Sequence, residues 1–441
     1  MVNPTTERNE PPLITLRAAC ILPIDAPPIY DGEVVIDRDK IVEVRKRPHS
    51  SGNAVDFGDA IIMPGFVNVH SHLELTLLRG LIGDLPFFPW IRKLVELKQK
   101  VSTNLWLDSS RLGAAETLAA GITTVGDCCD SGTAYQACEE LGLRGIIFQE
   151  VFGIEEPLNT PKILASLSEK LAKYKQTPKL ELGVSPHSVY TVRPTLMKEL
   201  ANYQSKLAIH AAESDAEVDF LLNGTGEFAE MYHRRSIPCE PVNSTPIAYL
   251  DNLGVLTLQT LLIHCTHVTP EDIALIARKG SAIAHCPKSN AKLSSGIAPI
   301  TEFMNAGIRV GIGTDGAVSN DHIDMFEEMR QTIFAQRYKK VSIDAQTVIK
   351  MATIGGASSL GLEQKIGTLT PGKQADLCII SLDHRIPQPD PYSTLVYSSS
   401  ASDVIFTMVA GEPFYESGQW LSNDVPAIKQ RVMDVSRSLI S

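Results

Sequence analysis

Four residues that could bind a metal each stand at the end of a short apolar run: His70, His72, His210 and Asp315. Side chains alternate along a strand, so His70 and His72 point to the same side and can hold one cation together. Imidazole nitrogen and carboxylate oxygen suit Zn²⁺, with Fe²⁺ and Mn²⁺ as alternatives. The pattern therefore predicts one divalent metal, with His210 and Asp315 completing the ligand set.

Two further residues are placed for proton transfer beside that metal. Glu213 follows His210 by three residues in HAAE, and a carboxylate there could take a proton from water and pass it to a leaving group. The alternative interpretation is a capping carboxylate at the start of the next helix. His264 also ends an apolar run, where it could polarise the nucleophile or hold the substrate. Asp315 could accept a proton from the attacking water, so the predicted catalytic residues are Glu213, His264 and Asp315.

These residues need a scaffold that brings the ends of distant strands together. Apolar runs rich in Val, Ile and Leu, each followed by a helix-like stretch, are typical of strands buried on both faces. Eight such units indicate a TIM barrel, whose active site lies at the C-terminal ends of its strands. The alternative is an open doubly wound sheet with a glycine-rich turn after its first strand, but that strand here ends in His-Ser-His. The eight runs are Phe66–His72, Gly121–Asp127, Gly145–Glu150, Leu180–His187, Leu207–His210, Leu261–His264, Ala282–His285 and Val310–Asp315.

The two ends of the chain do not follow this rhythm. Residues 12–60 and 366–421 alternate short apolar stretches with turns, which indicates antiparallel β structure. Neither segment is long enough for a core of its own, so we expect the two to pair. The predicted fold is α/β: a (β/α)8 TIM barrel over residues 64–364 and a small β-sandwich domain built from residues 1–63 and 365–441. The tail Asp424–Ser441 is predicted to form a terminal helix.

Composition restricts the class of protein and partner. The chain has 441 residues, with 40 Lys plus Arg, 51 Asp plus Glu and a net charge of −11, which argues against binding nucleic acid. The first twelve residues are polar and unlike a secretory signal, and no apolar run is long enough to span a membrane. The eight cysteines are scattered, which is typical of thiols in a reducing cytoplasm. We expect small-molecule partners. The sequence leaves open whether the protein forms a homo-oligomer.

The motifs together resemble one known family. PGFVNVHSHLELTLLRG, HAAE, HCTHV, AHCPKSNAKLSSGIAP and GTDGAVSNDHIDMFEEMR resemble the amidohydrolase superfamily over nearly the whole chain. Within it, they are similar to the branch of methylthioadenosine/S-adenosylhomocysteine, aminodeoxyfutalosine and guanine deaminases and triazine hydrolases. The resemblance implies a site with one metal, because this chain has Ser185, Pro186 and His187 at the end of the fourth strand, where members with two metals carry a carboxylated lysine. It also implies that Glu213 shuttles protons and that His264 works beside the attacking water.

The implied reaction is hydrolytic deamination of an adenine-type nucleoside such as methylthioadenosine, adenosine, S-adenosylhomocysteine or aminodeoxyfutalosine. The alternative is hydrolysis of another N-heterocycle, by a guanine or pterin deaminase or an s-triazine chloro- or aminohydrolase. The third strand ends in Gln149 and Glu150, without the arginine that many adenosylhomocysteine deaminases carry there. A carboxylate for the ribose is expected after the first strand, at Glu74 or Glu96. The predicted substrate-binding residues are His187, Trp90, Glu74 and Gln149, and Trp90 could equally be plain packing.

Overall fold

The computed structural model describes residues 13–49, 54–155, 159–203, 205–384, 390–421 and 424–440. The predicted polar N-terminus, residues 1–12, and the last residue of the predicted terminal helix, Ser441, lie outside this range.

The strands fall into three groups along the chain. The first group precedes the barrel: β1 (Ile14–Ile21), β2 (Ile29–Asp37), β3 (Lys40–Lys46), β4 (Val55–Asp56) and β5 (Ala60–Pro64). The second group builds the barrel: β6 (Phe66–His72), β7 (Ile122–Cys129), β8 (Arg144–Val151), β9 (Leu180–Pro186), β10 (Leu207–Ala211), β11 (Thr260–His264), β12 (Ala282–His285), β13 (Val310–Ile312) and β14 (Asp315–Gly316). The third group follows it: β15 (Leu377–Ser381), β16 (Val404–Val409), β17 (Glu412–Glu416) and β18 (Gln419–Trp420).

The barrel sheet is parallel and closes on itself. Its order runs from β13 through β12, β11, β10, β9, β8 and β7 to β6 and then β14. Only residues 313–314 separate β13 from β14, so the two are parts of one eighth strand. One part pairs with β12 and the other with β6, which completes the ring. The predicted TIM barrel is confirmed, and the open doubly wound sheet is excluded.

Helices cover the outside of the barrel, and several begin at residues that favour the start of a helix. Thr269 and Asp272 form a reciprocal capping box at one helix start, Pro270 follows at the first helical position, and Gly280 ends the helix at φ +73°. The helices are α1 (Phe87–Lys98), α2 (Thr103–Ala119), α3 (Ala134–Leu141), α4 (Thr160–Ala172), α5 (Pro194–Ala201), α6 (Asp215–Asn223), α7 (Gly226–Arg234), α8 (Pro246–Asn252), α9 (Pro270–Lys279), α10 (Pro287–Lys292), α11 (Ile300–Asn305), α12 (Ala317–Asn320), α13 (Met325–Tyr338), α14 (Ala345–Lys350), α15 (Gly356–Ser359), α16 (Pro391–Ser393) and the terminal α17 (Val425–Ile440).

Apolar side chains fill the lower part of the barrel. Val67, Val69 and Ile263 point inward from their strands, and Leu360 and Ile366 join the same buried cluster from the segment after the last barrel strand. A barrel filled in this way is a packed core without a channel. The polar strand ends therefore lie at the opposite, C-terminal face of the barrel.

The two ends of the chain share one sheet, as the sequence predicts. Its order is β18, β17, β16, β15, β5, β1, β2 and β3, with β4 beside β1, and the two terminal segments join where β5 pairs antiparallel with β15. The sheet is mixed, because β1 runs parallel to β4 and β5. The expectation of purely antiparallel strands is wrong at this point. The chain crosses back before β5, which lets β5 lead directly into the first barrel strand.

Candidate metal centre and active site

Three histidines and one aspartate converge at the C-terminal face of the barrel. The ligand atoms of His70, His72 and His210 lie within 4.8 Å of one another, and so do those of His70, His264 and Asp315. His70 Nε2 is 3.3 Å and His72 Nε2 is 3.6 Å from the same oxygen, Asp315 Oδ1. His210 Nδ1 donates to the carbonyl of His187 at 2.9 Å, which leaves its Nε2 as the nitrogen free to bind a metal.

The chemistry of this cluster fits a divalent metal. His70 is fully buried, and neither of its ring nitrogens has a hydrogen-bond partner among the described residues. Buried polar atoms are rarely left without a partner. Burial lowers the pKa of His70 well below its usual value, so the ring is neutral, the form that ligates metals. Neutral imidazoles that converge on a carboxylate form a cation site.

The backbone and neighbouring hydroxyls fix the carboxylate of Asp315. Its Oδ2 accepts hydrogen bonds from Ser289 at 2.6 Å and from Ser319 at 2.9 Å. Its Oδ1 accepts from the backbone N–H of Gly316 at 2.7 Å and also faces His70 and His72. The sequence singled out Asp315 but missed these two serines, which anchor it from α10 and α12.

Glu213 lies in the short loop between β10 and α6, beside the metal ligands. Its side chain is 6% exposed, and burial raises its pKa to about 7, a value suited to taking up and releasing a proton near neutral pH. Its Oε1 is 3.7 Å from His264 Nε2. The helix cap is Ser214, whose side chain accepts from Glu217 N–H, so Glu213 is not the capping residue.

A second buried carboxylate holds the Glu213 loop in place. Glu217 accepts the backbone N–H groups of Ala212 and Glu213, each at 2.9 Å. The hydroxyl of Thr266 donates to the carbonyls of the same two residues at 3.1 and 2.7 Å. Ala212 itself has a φ of +51°. These contacts hold this strained segment in a single position.

His264 ends β11 with a ring oriented by α10. Its Nδ1 is 2.8 Å from Asn290 Oδ1, and with that oxygen accepting, the nitrogen carries the proton and Nε2 faces Glu213 as a base. The backbone at His264, Cys265 and Asp315 has φ values of +73°, +48° and +59°. Non-glycine residues with positive φ cluster at functional sites, and here they occur where strand ends turn over the metal site.

A largely apolar cavity opens above these residues. Two of the predicted substrate-binding residues, His187 and Trp90, line it together with Glu213 and Asp315. His187 Nδ1 is 2.9 Å from the hydroxyl of Thr191. The other lining residues are mostly aromatic or aliphatic: Phe87, Ile91, Leu94, Phe152, Tyr190, Phe228, Met231, Leu293 and Val318.

The other two predicted substrate-binding residues do not line this cavity. The Glu74 carboxylate accepts the backbone N–H groups of Asp130 and Ser131 at 3.0 and 2.9 Å, and the Cys129 thiol lies 3.2 Å away. Gln149 donates from Nε2 to backbone carbonyls, among them that of Cys129 at 3.0 Å. Both side chains are occupied in holding loops, a role that spacing along a strand does not distinguish from substrate contact.

Glu96 lies elsewhere as well. It is on the exposed face of α1, where Lys93 and Lys100 lie 3.0 and 2.9 Å from its carboxylate. The structure instead brings Glu150 and Lys98 into the cavity lining. Glu150 had a signal in the sequence, because it ends the third apolar run as Asp315 ends the eighth.

Among the described residues, no helix has the combination of length and apolar character needed to cross a membrane.

Comparison with known proteins identifies relatives across the chain. The Amidohydrolase family model matches residues 61–414. A 5-methylthioadenosine/S-adenosylhomocysteine deaminase of Nitratidesulfovibrio vulgaris is 34% identical, covering 96% of this chain and 97% of its own length. A protein of the same name from Pelotomaculum thermopropionicum is 32% identical, covering 93% of this chain and 95% of its own.

Solved structures show the same fold. An adenosine deaminase from Xanthomonas campestris with bound zinc superposes with a TM-score of 0.86 at 27% identity, covering 96% of this chain and 98% of that one. An atrazine chlorohydrolase from Arthrobacter aurescens in complex with zinc gives a TM-score of 0.82 at 22% identity, covering 97% and 100%. At that lower identity, the likeness carries the fold alone.

Proposed function

The chain belongs to the Amidohydrolase family, and from this premise we propose that it is a zinc-dependent hydrolytic deaminase of an adenine-type nucleoside. One observation carries the proposal: a buried glutamate with a pKa of about 7 faces a histidine and a metal-binding cluster at the floor of a largely apolar cavity. Such a cavity accepts a flat heterocycle, and such a glutamate can exchange protons with it.

We assign the metal site to His70, His72, His210 and Asp315. Three imidazoles and one carboxylate are a donor set suited to zinc, and the adenosine deaminase structure described above holds zinc. When bound, the metal would act as a Lewis acid that makes water a better nucleophile at neutral pH.

The remaining steps fall to residues of the chain. Water adds to the ring carbon that bears the exocyclic amine, and its proton passes to Asp315 or to His264 Nε2, the nitrogen that Asn290 leaves free. Glu213 donates its proton to the adjacent ring nitrogen. The amine leaves as ammonia after taking up the proton held at the site, and the added hydroxyl gives its proton back to Glu213 as the ring carbon becomes a carbonyl. A carboxyl with a pKa of about 7 is available in both protonation states for this exchange.

The cavity walls would orient the heterocycle and exclude bulk water. His187 and Trp90 are the proposed contacts with the heterocycle. In the same lining, Tyr190 and Phe228 stack on each other at a centroid distance of 3.8 Å. Exclusion of water strengthens each hydrogen bond to the developing charges.

The compartment that we propose rests on the cysteines, and the substrate class rests on the names of the relatives. All eight cysteines are free, and seven of them are buried, as in a reducing cytoplasm. The curated relatives are named for nucleoside substrates, and a small nucleoside fits the cavity described above. We propose a cytoplasmic enzyme with a small-molecule substrate.

An ammonia-release assay tests the proposal. Zinc-loaded protein is incubated separately with adenosine, methylthioadenosine, S-adenosylhomocysteine, aminodeoxyfutalosine, guanine, a pterin and a chlorinated s-triazine. We expect ammonia and the matching 6-oxopurine nucleoside from at least one adenine nucleoside. Ammonia from guanine or the pterin alone, or chloride from the triazine alone, would replace this proposal with the other N-heterocycle reaction.

A further inference from the structure

Two short helices carry the side chains that orient the groups at the barrel mouth. Ser289 on α10 and Ser319 on α12 donate hydrogen bonds to Asp315, and Asn290 on α10 orients the ring of His264. The helices have six and four residues, and neither is capped by the side chain of its N-terminal flanking residue. Helices this short are not stable by themselves, so contacts with the rest of the protein set their positions.

Glu328, on α13, contacts both short helices with one carboxylate. Its Oε2 accepts the backbone N–H of Lys288 at 3.2 Å, one of the donors that the start of α10 leaves without a partner. Its Oε1 accepts the side-chain amide of Asn320, the last residue of α12, at 2.5 Å. The same amide nitrogen donates at 2.6 Å to the carbonyl of Thr314, the residue before Asp315. One carboxylate therefore links α10, α12 and the segment that carries the metal-binding aspartate.

The helix that carries Glu328 is packed into the core. Phe326, Met329 and Ile333 of α13 are fully buried. Phe326 packs edge-on against Phe66 of β6, with ring centroids 5.0 Å apart, so α13 is in contact with the first barrel strand. A side chain on α13 is thus a fixed point from which α10 and α12 can be positioned relative to the barrel.

Stability alone does not account for a carboxyl at this position. Glu328 is fully buried, and burial of an ionisable group costs folding free energy that hydrogen bonds return only in part. An apolar side chain of similar volume is often tolerated at such a position without loss. It could not accept hydrogen bonds from two separate helices, however. The contribution that only the carboxylate makes is the placement of those helices.

Two ion pairs on the outer side of the same helices are weaker links. Lys288 pairs with Glu327, and Lys292 pairs with Asp321. All four side chains are partly exposed, and pairs of this kind add little to stability. Glu327 is a useful comparison, because it is the neighbour of Glu328 on α13 and contacts the same lysine through the side chain.

We propose that Glu328 is a positioning residue of the metal centre: by holding α10 and α12, it fixes Asp315 as a metal ligand and His264 as a base. It does not line the cavity, so it acts through these residues and touches neither metal nor substrate. The part that concerns His264 rests on the proposed function, and the part that concerns Asp315 rests only on the assigned metal site.

The first test measures zinc affinity and needs no substrate. The dissociation constant is obtained by competition with a chromophoric chelator for the wild type, Glu328→Gln and Glu327→Gln. Glu328→Gln keeps the size of the side chain but loses one of the two acceptor oxygens. Displaced supporting contacts should weaken zinc binding about 10-fold in this variant and leave the Glu327→Gln control unchanged. Wild-type affinity in Glu328→Gln would overturn the proposal.

A double variant tests the route through Asn320. Asn320→Ala breaks the link between Glu328 and Thr314 and should itself weaken zinc binding. Because both changes break one connected set of contacts, the losses in Glu328→Gln/Asn320→Ala should not add. Fully additive losses would overturn the proposed route. If Glu328→Gln does not fold, wild-type zinc affinity in Asn320→Ala alone is the result that overturns it.

A variant remote from the metal site separates positioning from a general loss of stability. Asp376 is a buried carboxylate that pairs with Arg144 at the N-terminal end of β8, the opposite end of the barrel strands. Asp376→Asn should destabilise the fold and keep wild-type zinc affinity. Equal weakening of zinc binding in Asp376→Asn and Glu328→Gln would assign the effect to stability and overturn the proposal.

Kinetics at saturating zinc test the part that concerns His264. The cavity walls are unchanged in Glu328→Gln, so kcat should fall about 10-fold while KM for the nucleoside stays nearly constant. A loss confined to KM, or wild-type kcat, would overturn this part and leave the proposed function intact. Weakened zinc binding in Glu328→Gln supports the positioning of Asp315 even if no nucleoside releases ammonia, so the two failures are distinguishable.

Discussion

Two regions of the molecule bury ionisable side chains, and they differ in the partners that they give to those side chains. Where the β domain meets the base of the barrel, Arg144 forms two hydrogen bonds with Asp376, at 2.6 and 3.1 Å, and Asp376 also accepts the backbone N–H of Ala410 at 2.7 Å. At the barrel mouth, His70 is fully buried and Glu150 is 5% exposed, and neither ring nitrogen of His70 nor Oε1 of Glu150 has a hydrogen-bond partner among the described residues.

This difference separates buried ionisable groups that stabilise the fold from those that belong to the active site. A buried charge that has all its partners within the protein is stable by itself, whereas one without partners awaits a group from outside. The seam between barrel and β domain is therefore complete, and the mouth becomes complete with a metal and a substrate. The predictions below change one region at a time.

Removal of the metal should have the largest effect. Dialysis against a chelator should reduce turnover to background and lower Tm, because a ligand that binds the folded chain stabilises it. Zinc added back should restore both. Full turnover at a measured metal content near zero would contradict the assignment of His70, His72, His210 and Asp315.

Glu213→Gln should affect chemistry without affecting the fold. Loss of a general acid–base group should lower kcat by roughly 10²- to 10⁴-fold, with the zinc content and Tm of the wild type retained. Kinetics, metal analysis and thermal unfolding check the three parts. Unchanged kcat would remove Glu213 from the mechanism, and Glu227→Gln serves as the control on the surface.

Asp376→Asn should show the reverse pattern in the seam. It leaves the Arg144 guanidinium buried without its counter-charge, which should cost about 3–5 kcal/mol of unfolding free energy, while zinc content stays unchanged. Denaturant unfolding measures the loss. The double variant Arg144→Met/Asp376→Leu should recover most of that stability, because it removes both charges. A cost below about 1 kcal/mol, typical of an exposed pair, would contradict the comparison.

The predicted effect that is smallest over one pH unit is a pH dependence of stability from Glu328. This carboxyl is fully buried on α13 and accepts the backbone N–H of Lys288 at 3.2 Å. Burial raises its pKa from 4.5 to about 8. A raised pKa in the folded state means that its contribution to stability is full below pH 4.5 and falls as the pH rises towards 8.

Glu328→Gln should remove that dependence. The wild type should lose up to about 1.4 kcal/mol per pH unit relative to the variant across this range. Urea unfolding at several pH values measures both curves. Parallel curves would show that Glu328 is ionised in the folded protein.

The barrel and the positions of its chemistry were accessible from the sequence because both depend on short patterns. His70, His210 and Asp315 end apolar runs, and the ends of parallel barrel strands must meet at one face. The same rule would have drawn attention to Glu150. The sequence could not show that Glu74 is held by backbone N–H groups, since those donors come from a loop more than fifty residues away.

The directions of the strands in the β domain were harder to predict, because they also depend on pairing between distant parts of the chain. Alternating apolar residues indicate strands, but strand direction depends on where the chain crosses between them. The parallel pairing of β1 with β5 could not be predicted, because the sequence between β3 and β5, residues 47–59, has no alternating apolar pattern.

The pairing of β5 with β15 also sets an order of assembly during synthesis. Ile61, Ile62 and Met63 leave the ribosome before the barrel, whereas Leu377 and its neighbours, with which β5 pairs, leave after it. Until β15 is made, the edge of β5 that pairs with it is open. The side chains of β5, which are buried in the folded protein, are then less covered, and such an edge can pair with other chains. A chain truncated before residue 377 would keep every metal ligand and still present that edge. Residues 377–381 therefore cover an edge that the barrel and the first terminal segment leave open.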